Sequence, residues 1–110
     1  VAQTNACEYC LAAHTALAAL GGLQPDEIAG SRAARATDSK RDAGLKFARA
    51  VVLERGQVSD AAVANVRTAG FDDTEITEIV ANVAVNIFSN YINNVAQTVV
   101  DFPRVEIGVA

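Results

Sequence analysis

The sequence predicts an all-α protein, a small bundle of about five helices formed by one domain spanning residues 1–110. A chain of 110 residues is long enough for one domain with a modest core. Hydrophobic residues make up 51% of the chain and aromatic residues only 5%, and alanine and valine dominate the apolar fraction. Small side chains let helices approach closely, so this composition favours packed helices over a sandwich of sheets.

Helix start and stop signals divide the chain into five segments with helical periodicity. Each segment begins near a capping residue or a proline. Four of them end near a glycine or before a proline, and the second is followed by a turn at residues 36–39. The predicted helices run from about Asn5 to Leu20, Pro25 to Arg32 or slightly beyond, Lys40 to Arg55, Val58 or Ser59 to the residue before Gly70, and Asp73 or Thr74 to Val100.

The last predicted helix contains no charged residue from Ile79 through Val100. Its length alone would suggest a membrane span, but five asparagines within it argue for a helix buried in protein. We expect two stripes along this helix, an apolar one that packs in the core and a polar one. The polar stripe could line the functional pocket, bridge to another subunit or face water, and we expect the first two together. The apolar stripe is Ile76, Val80, Val83, Ile87, Tyr91 and Val95, and the polar stripe is Asn82, Asn86, Ser89, Asn93 and Gln97.

Charge and cysteine usage exclude several classes of function. The net charge is −4 and no basic run extends beyond Lys40-Arg41, so we expect no nucleic-acid partner. The sequence shows no signal peptide, and two cysteines within one short motif fit a reducing compartment, for which the cytoplasm is the default. Without a phosphate-binding glycine loop or an acidic metal cluster, we expect neither a cofactor nor a metal.

The stretch Asn5–His14 holds both cysteines and the only histidine of the chain. A helix turns by about 100° per residue, so Cys7, Cys10 and His14 would lie within an arc of roughly 60° if this stretch is helical. Asn5 is the predicted N-cap, which would put Cys7 in the first turn. Two thiols and a potential base on one helix face are suited to thiol redox chemistry, because a thiolate is the reactive form of cysteine and a second thiol can close a disulfide.

Two other interpretations of this stretch remain open from the residues alone. A catalytic zinc could take the two cysteines and His14 as its three protein ligands with a water in the fourth position. The cysteines could also be a buried structural pair without reactivity.

Residues 5–15, NACEYCLAAHT, resemble the active-site segment of the alkylhydroperoxidase D-like proteins, which belong to the carboxymuconolactone decarboxylase superfamily. The Cys-x-x-Cys-x-x-x-His spacing is the signature of that family, and residues 90–103 look like its C-terminal segment. Members that act as decarboxylases generally lack the cysteine pair, so the resemblance points to the redox branch. It also implies that the helices which precede this segment in the family lie upstream of Val1.

The resemblance implies a role for each residue of the motif. Cys10 would be the peroxidatic thiol, Cys7 the resolving thiol, and His14 the group that activates Cys10. The substrate would be a hydroperoxide, and a dithiol protein or a small thiol would reduce the resulting disulfide. The family forms trimers and hexamers, so we expect a symmetric homo-oligomer.

Three functions from different classes follow from the sequence. The first is a thiol-dependent peroxidase or disulfide oxidoreductase. The second is a non-redox enzyme of the decarboxylase type with His14 as acid and base. The third is a non-catalytic binding or stress-response module whose cysteines are structural.

Overall fold

Five α-helices joined by short turns make up the fold over residues 1–108, which are the residues that the computed structural model describes. No β-strand occurs in that range. The helices are α1 (Glu8–Leu20), α2 (Pro25–Arg32), α3 (Ser39–Leu53), α4 (Asp60–Thr68) and α5 (Asp73–Ala96). The predicted all-α bundle of about five helices is therefore confirmed, and the second helix lies within the predicted bounds of Pro25 to Arg32 or slightly beyond.

Side-chain caps fix the starts of α3, α4 and α5. Asp38, Ser59 and Asp72 each accept a hydrogen bond from the main-chain N–H three residues further on, at 2.8, 3.1 and 2.8 Å. The carboxylate of Glu75 in turn accepts a hydrogen bond from the main-chain N–H of Asp72 at 3.2 Å, which completes a capping box. The cap of α5 is thus Asp72 rather than Asp73 or Thr74, because the reciprocal pair needs a glutamate three residues after the cap.

The main core lies between α3, α4 and α5. Its centre consists of Phe47, Val51, Val66 and Val83, each no more than 7% exposed. Burying an aliphatic or aromatic side chain of this size contributes about 1.5–3 kcal/mol, so these four residues hold the three helices together. A second, smaller cluster surrounds the start of α1.

The turn between α4 and α5 is fixed to α3 by an aromatic ring and an ion pair. Lys40 lies over the ring of Phe71, 4.8 Å from its centroid, and binds Glu75 at 2.9 Å. The hydrogen bond from Lys40 lowers the pKa of the Glu75 carboxyl.

The buried face of α5 differs from the predicted apolar stripe. Val83 and Asn90 are buried, whereas Val80, Tyr91 and Val95 are 44%, 56% and 84% exposed. At about 100° per residue, Asn90 lies only about 20° from Val83 around the helix, while Tyr91 and Val95 lie about 80° and 120° away. Each step of four residues turns about 40° past a full turn, so the later members of the predicted stripe no longer lie on the side that faces the core.

Helix α5 ends at Ala96, four residues before the predicted end at Val100. Gln97 adopts a left-handed conformation with φ of 49°, and the N–H of Thr98 bonds back to the carbonyl of Asn93 at 3.2 Å. This closure turns the chain back toward α1. No helix within residues 1–108 combines the length and the apolar character that crossing a membrane requires.

Candidate redox site at the start of α1

Cys7 and Cys10 form a disulfide across the first turn of α1, with their Cα atoms 5.3 Å apart. Cys7 has extended backbone angles (φ −88°, ψ 97°) and is itself the N-cap of the helix, so the prediction of Asn5 as the cap is wrong. The cap is displaced because Ala6 takes a left-handed turn with φ of 52°, which starts the helix two residues later. The Cys7 Sγ accepts the main-chain N–H of Cys10 at 3.2 Å.

Both sulfur-bearing residues are nearly inaccessible to solvent. Cys7 is 0% exposed and Cys10 is 3% exposed, and they pack with Ala2 and Leu11. Val105 and Ile107, from the segment that follows α5, cover this cluster. A reactant of any size must therefore displace part of this cover to reach the sulfur atoms.

Helix α5 supplies an amide to Cys10. The Nδ2 atom of Asn93 lies 3.6 Å from Cys10 Sγ and also donates to the carbonyl of Ser89 at 2.9 Å. Among the residues of the predicted polar stripe, Asn93 is the one whose side chain bonds to a cysteine of the candidate site. Asn82 and Asn86 instead donate to carbonyls one turn earlier in their own helix.

Two further asparagines of α5 hold the segment that precedes Cys7. Asn90 is fully buried and accepts the side-chain amide of Asn5 at 3.0 Å, while Asn94 donates to the Asn5 carbonyl at 3.1 Å. The Nδ2 atom of Asn90 has no acceptor among residues 1–108. A buried unpaired donor lowers the free energy of unfolding by about 1–3 kcal/mol. Asn90 therefore acts by positioning Asn5 and does not stabilise the core.

Asn90 is the site residue that the sequence reasoning missed. It was absent from both predicted stripes, although its angular position on α5 is close to that of buried Val83. A polar residue on the core side of a helix is the signal that would have found it, because buried amides need specific partners.

His14 lies one helical turn after Cys10 and is exposed. The structure thus joins two of the three predicted site residues, Cys7 and Cys10, and shows no hydrogen bond between His14 and either sulfur within the described chain. The role of His14 stays a prediction. Glu8 is exposed and pairs with Arg104 at 3.3 Å, so it is directed to the covering segment rather than to the sulfur atoms.

A cleft of about 1550 Å³ opens between α2, α3 and α5, and neither cysteine lines it. Apolar side chains including Leu23, Leu45 and Ile79 line it together with charged residues such as Arg32 and Glu75. Over residues 1–108 no group of three or more His, Cys, Asp or Glu side chains is arranged to hold a metal ion.

No protein-family model matches this chain, and no curated protein matches it. The resemblance to the alkylhydroperoxidase D-like proteins therefore depends on the residues of its two motif segments, 5–15 and 90–103. Those two segments are in contact in the structure through the bonds of Asn5 and Cys10 to α5.

Proposed function

We propose that the protein is a thiol-dependent oxidoreductase in which Cys7 and Cys10 cycle between a dithiol and a disulfide, with an alkyl hydroperoxide as the oxidant. The observation that carries this proposal is the Cys7–Cys10 disulfide across the first turn of α1, at a helix start where free main-chain N–H groups favour a thiolate. A cycle of this kind needs a thiol reductant to return the dithiol, and we propose the cytoplasm, where such thiols are abundant, as its compartment.

The roles of the two cysteines follow the resemblance. The Cys10 thiolate attacks one oxygen of the hydroperoxide; an S–O bond forms, the O–O bond breaks, and the alcohol leaves after taking a proton. The Cys7 thiolate then attacks the sulfenic sulfur of Cys10, so that the S–S bond forms and the sulfenic oxygen leaves as water. The two thiols lose two electrons and the hydroperoxide gains them. A dithiol protein or a small thiol restores the pair by exchange.

His14 is the proposed proton carrier for these steps. Its exposed position, one turn from Cys10, lets the imidazole exchange protons with water while the sulfur atoms stay buried. This histidine would donate the proton that the alkoxide takes as the O–O bond breaks, so that it leaves as the alcohol.

Thiol counting by mass spectrometry tests the proposal. We expect the reduced protein to lose both alkylatable thiols after one equivalent of cumene hydroperoxide and to release one equivalent of the alcohol. In Cys7→Ser the oxidation should stop at a sulfenic acid on Cys10, which dimedone would trap. Cys10→Ser should neither form an adduct nor release the alcohol, whereas two unchanged thiols in the parent protein after peroxide would refute the proposal.

A structural disulfide is the second candidate, and the near-complete burial of both sulfur-bearing residues favours it. It predicts that a small dithiol reduces the bond only as fast as the protein unfolds. Comparing the reduction rate with the global unfolding rate under the same conditions separates the two functions, because a redox-active bond is reduced far faster than the chain unfolds.

A further inference from the structure

We infer that Asn93 is a further catalytic group of the proposed redox site, where it donates a hydrogen bond to Cys10 Sγ and stabilises the thiolate form of that sulfur. This inference rests on the proposed function, and it adds a residue that the Cys-x-x-Cys-x-x-x-His motif does not contain.

The geometry fixes which end of the Asn93 amide faces the sulfur. The amide nitrogen carries two hydrogens, and the main-chain carbonyl of Ser89 can only accept. Because Nδ2 donates to Ser89 at 2.9 Å, the nitrogen end is the one within 3.6 Å of Cys10 Sγ. The first bond holds the amide in place and leaves the second hydrogen for the sulfur.

Cys10 needs a protein donor because water hardly reaches it. At 3% exposure, a Cys10 thiolate would lose most of its hydration, and burial raises the pKa of a thiol that lacks a partner. A hydrogen bond to the charged form acts in the opposite direction, and it is stronger where water is excluded.

The two sulfur atoms have different donors. Cys7 Sγ accepts the main-chain N–H of Cys10, which belongs to the helix start and is present in any sequence. Cys10 Sγ accepts from Asn93, a side chain 83 positions away in the sequence. Asn93 therefore gives the thiol proposed to react with peroxide a stabilising contact of its own.

Neighbouring amides keep Asn93 in register with Cys10. Asn90, one turn earlier on α5, binds Asn5, and Asn94 binds the Asn5 carbonyl. These two contacts join α5 to the segment immediately before Cys7. Together with the bond from Asn93 itself, they fix the distance between Asn93 and the cysteine pair.

The test measures the pKa of Cys10 in the full chain carrying Cys7→Ser, where Cys10 is the single thiol. Thiolate absorbance in the ultraviolet follows the titration without a reagent that must enter the site. We expect Asn93→Leu to raise the pKa of Cys10 by about one unit, since hydrogen bonds to charged groups are among the stronger ones. Asn93→Asp, which is nearly identical in shape, should raise it further by placing a carboxylate beside the sulfur.

Asn86→Leu is the matched control. Asn86 makes the same bond to a carbonyl one turn earlier in α5 but has no bond to sulfur. This variant should leave the pKa of Cys10 unchanged, and circular dichroism would establish that all variants keep their helices. An unchanged pKa in a folded Asn93→Leu or Asn93→Asp variant would overturn the inference.

This experiment separates the inference from the proposed function. A shifted pKa in the Asn93 variants supports the role of Asn93 even if cumene hydroperoxide leaves both thiols of the parent protein unoxidised. Conversely, normal oxidation of the parent together with a pKa insensitive to Asn93 would leave the proposed function standing and remove Asn93 from it.

Discussion

Single residues decide how closely the elements of this protein approach one another, and Gly44 is the clearest case. Gly44 lies within α3, where glycine is unfavourable by about 1 kcal/mol relative to alanine. A Cβ atom at this position would lie 2.7 Å from Cζ of Phe71, which is shorter than van der Waals contact. The glycine therefore makes room for the ring that joins the α4–α5 turn to α3.

We predict that Gly44→Ala lowers the free energy of unfolding by about 1–3 kcal/mol, because overpacking against Phe71 outweighs the gain in helix propensity. Urea denaturation of the variant and the parent measures the difference. In a Phe71→Leu background, where the ring is absent, the same substitution should become neutral or stabilising. An equal effect in both backgrounds would mean that the ring does not restrict position 44.

At the scale of elements, the segment after α5 covers the Cys7–Cys10 disulfide. The ring of Phe102 packs edge to face on Tyr9 at 5.8 Å between centroids, and Val105 and Ile107 lie on the cysteine cluster. The Arg104–Glu8 pair is exposed and contributes little, about 0–1 kcal/mol. Apolar contacts therefore hold this cover in place, and in the proposed cycle its opening would admit the peroxide and the reductant.

We predict that Val105→Ser combined with Ile107→Ser speeds reduction of the Cys7–Cys10 disulfide by dithiothreitol about tenfold or more. A tenfold change corresponds to about 1.4 kcal/mol, and the loss of two half-buried aliphatic side chains supplies at least that. Val99→Ser is the control, since Val99 is 82% exposed and should not alter the rate. If the double variant is reduced at the parent rate, the segment does not limit access.

Local signals made much of this architecture predictable. The proline of α2 and the cap Ser59 act within a few residues, so the sequence pattern located the starts of α2 and α4. It placed the start of α3 at Lys40, one residue after the observed Ser39. The cysteine pair was likewise predicted as a unit, because its spacing is that of one helical turn.

The remaining features depend on contacts between distant parts of the chain. Asn5 and Asn90 are 85 positions apart, and Arg104 and Glu8 are 96 apart. No local pattern states which side of α5 faces α1, so the prediction placed Val95 in the core, whereas the structure buries Asn90 and exposes Val95. The cover over the disulfide was missed for the same reason, since it depends on Val105 and Ile107 meeting the start of α1 at the other end of the chain.

At the scale of the whole molecule, α5 presents an uncharged apolar face to solvent. Val85, Phe88, Ile92 and Val95 are 67%, 70%, 54% and 84% exposed and lie within about 80° of one another around the helix. Apolar patches of this kind are rare on monomers and typical of subunit contacts. Copies with a net charge of −4 repel one another. This repulsion is weakest where two uncharged faces meet, so the apolar face of α5 is the favoured contact.

We therefore predict a symmetric homo-oligomer, a trimer or hexamer as the resemblance implies, assembled through this face of α5. Light scattering coupled to gel filtration should give a multiple of the 11.5 kDa chain mass. Phe88→Glu with Ile92→Glu should shift the protein to monomers that remain helical, because both side chains are exposed within one chain and the added charges oppose contact between copies. The repulsion between the two glutamates within one helix costs only about 0.2–0.5 kcal/mol. Ala64→Glu, at an exposed position on α4, adds charge elsewhere and should leave the assembly intact. A parent protein that elutes at the mass of one chain would contradict the prediction, and so would a double variant that keeps the parent mass.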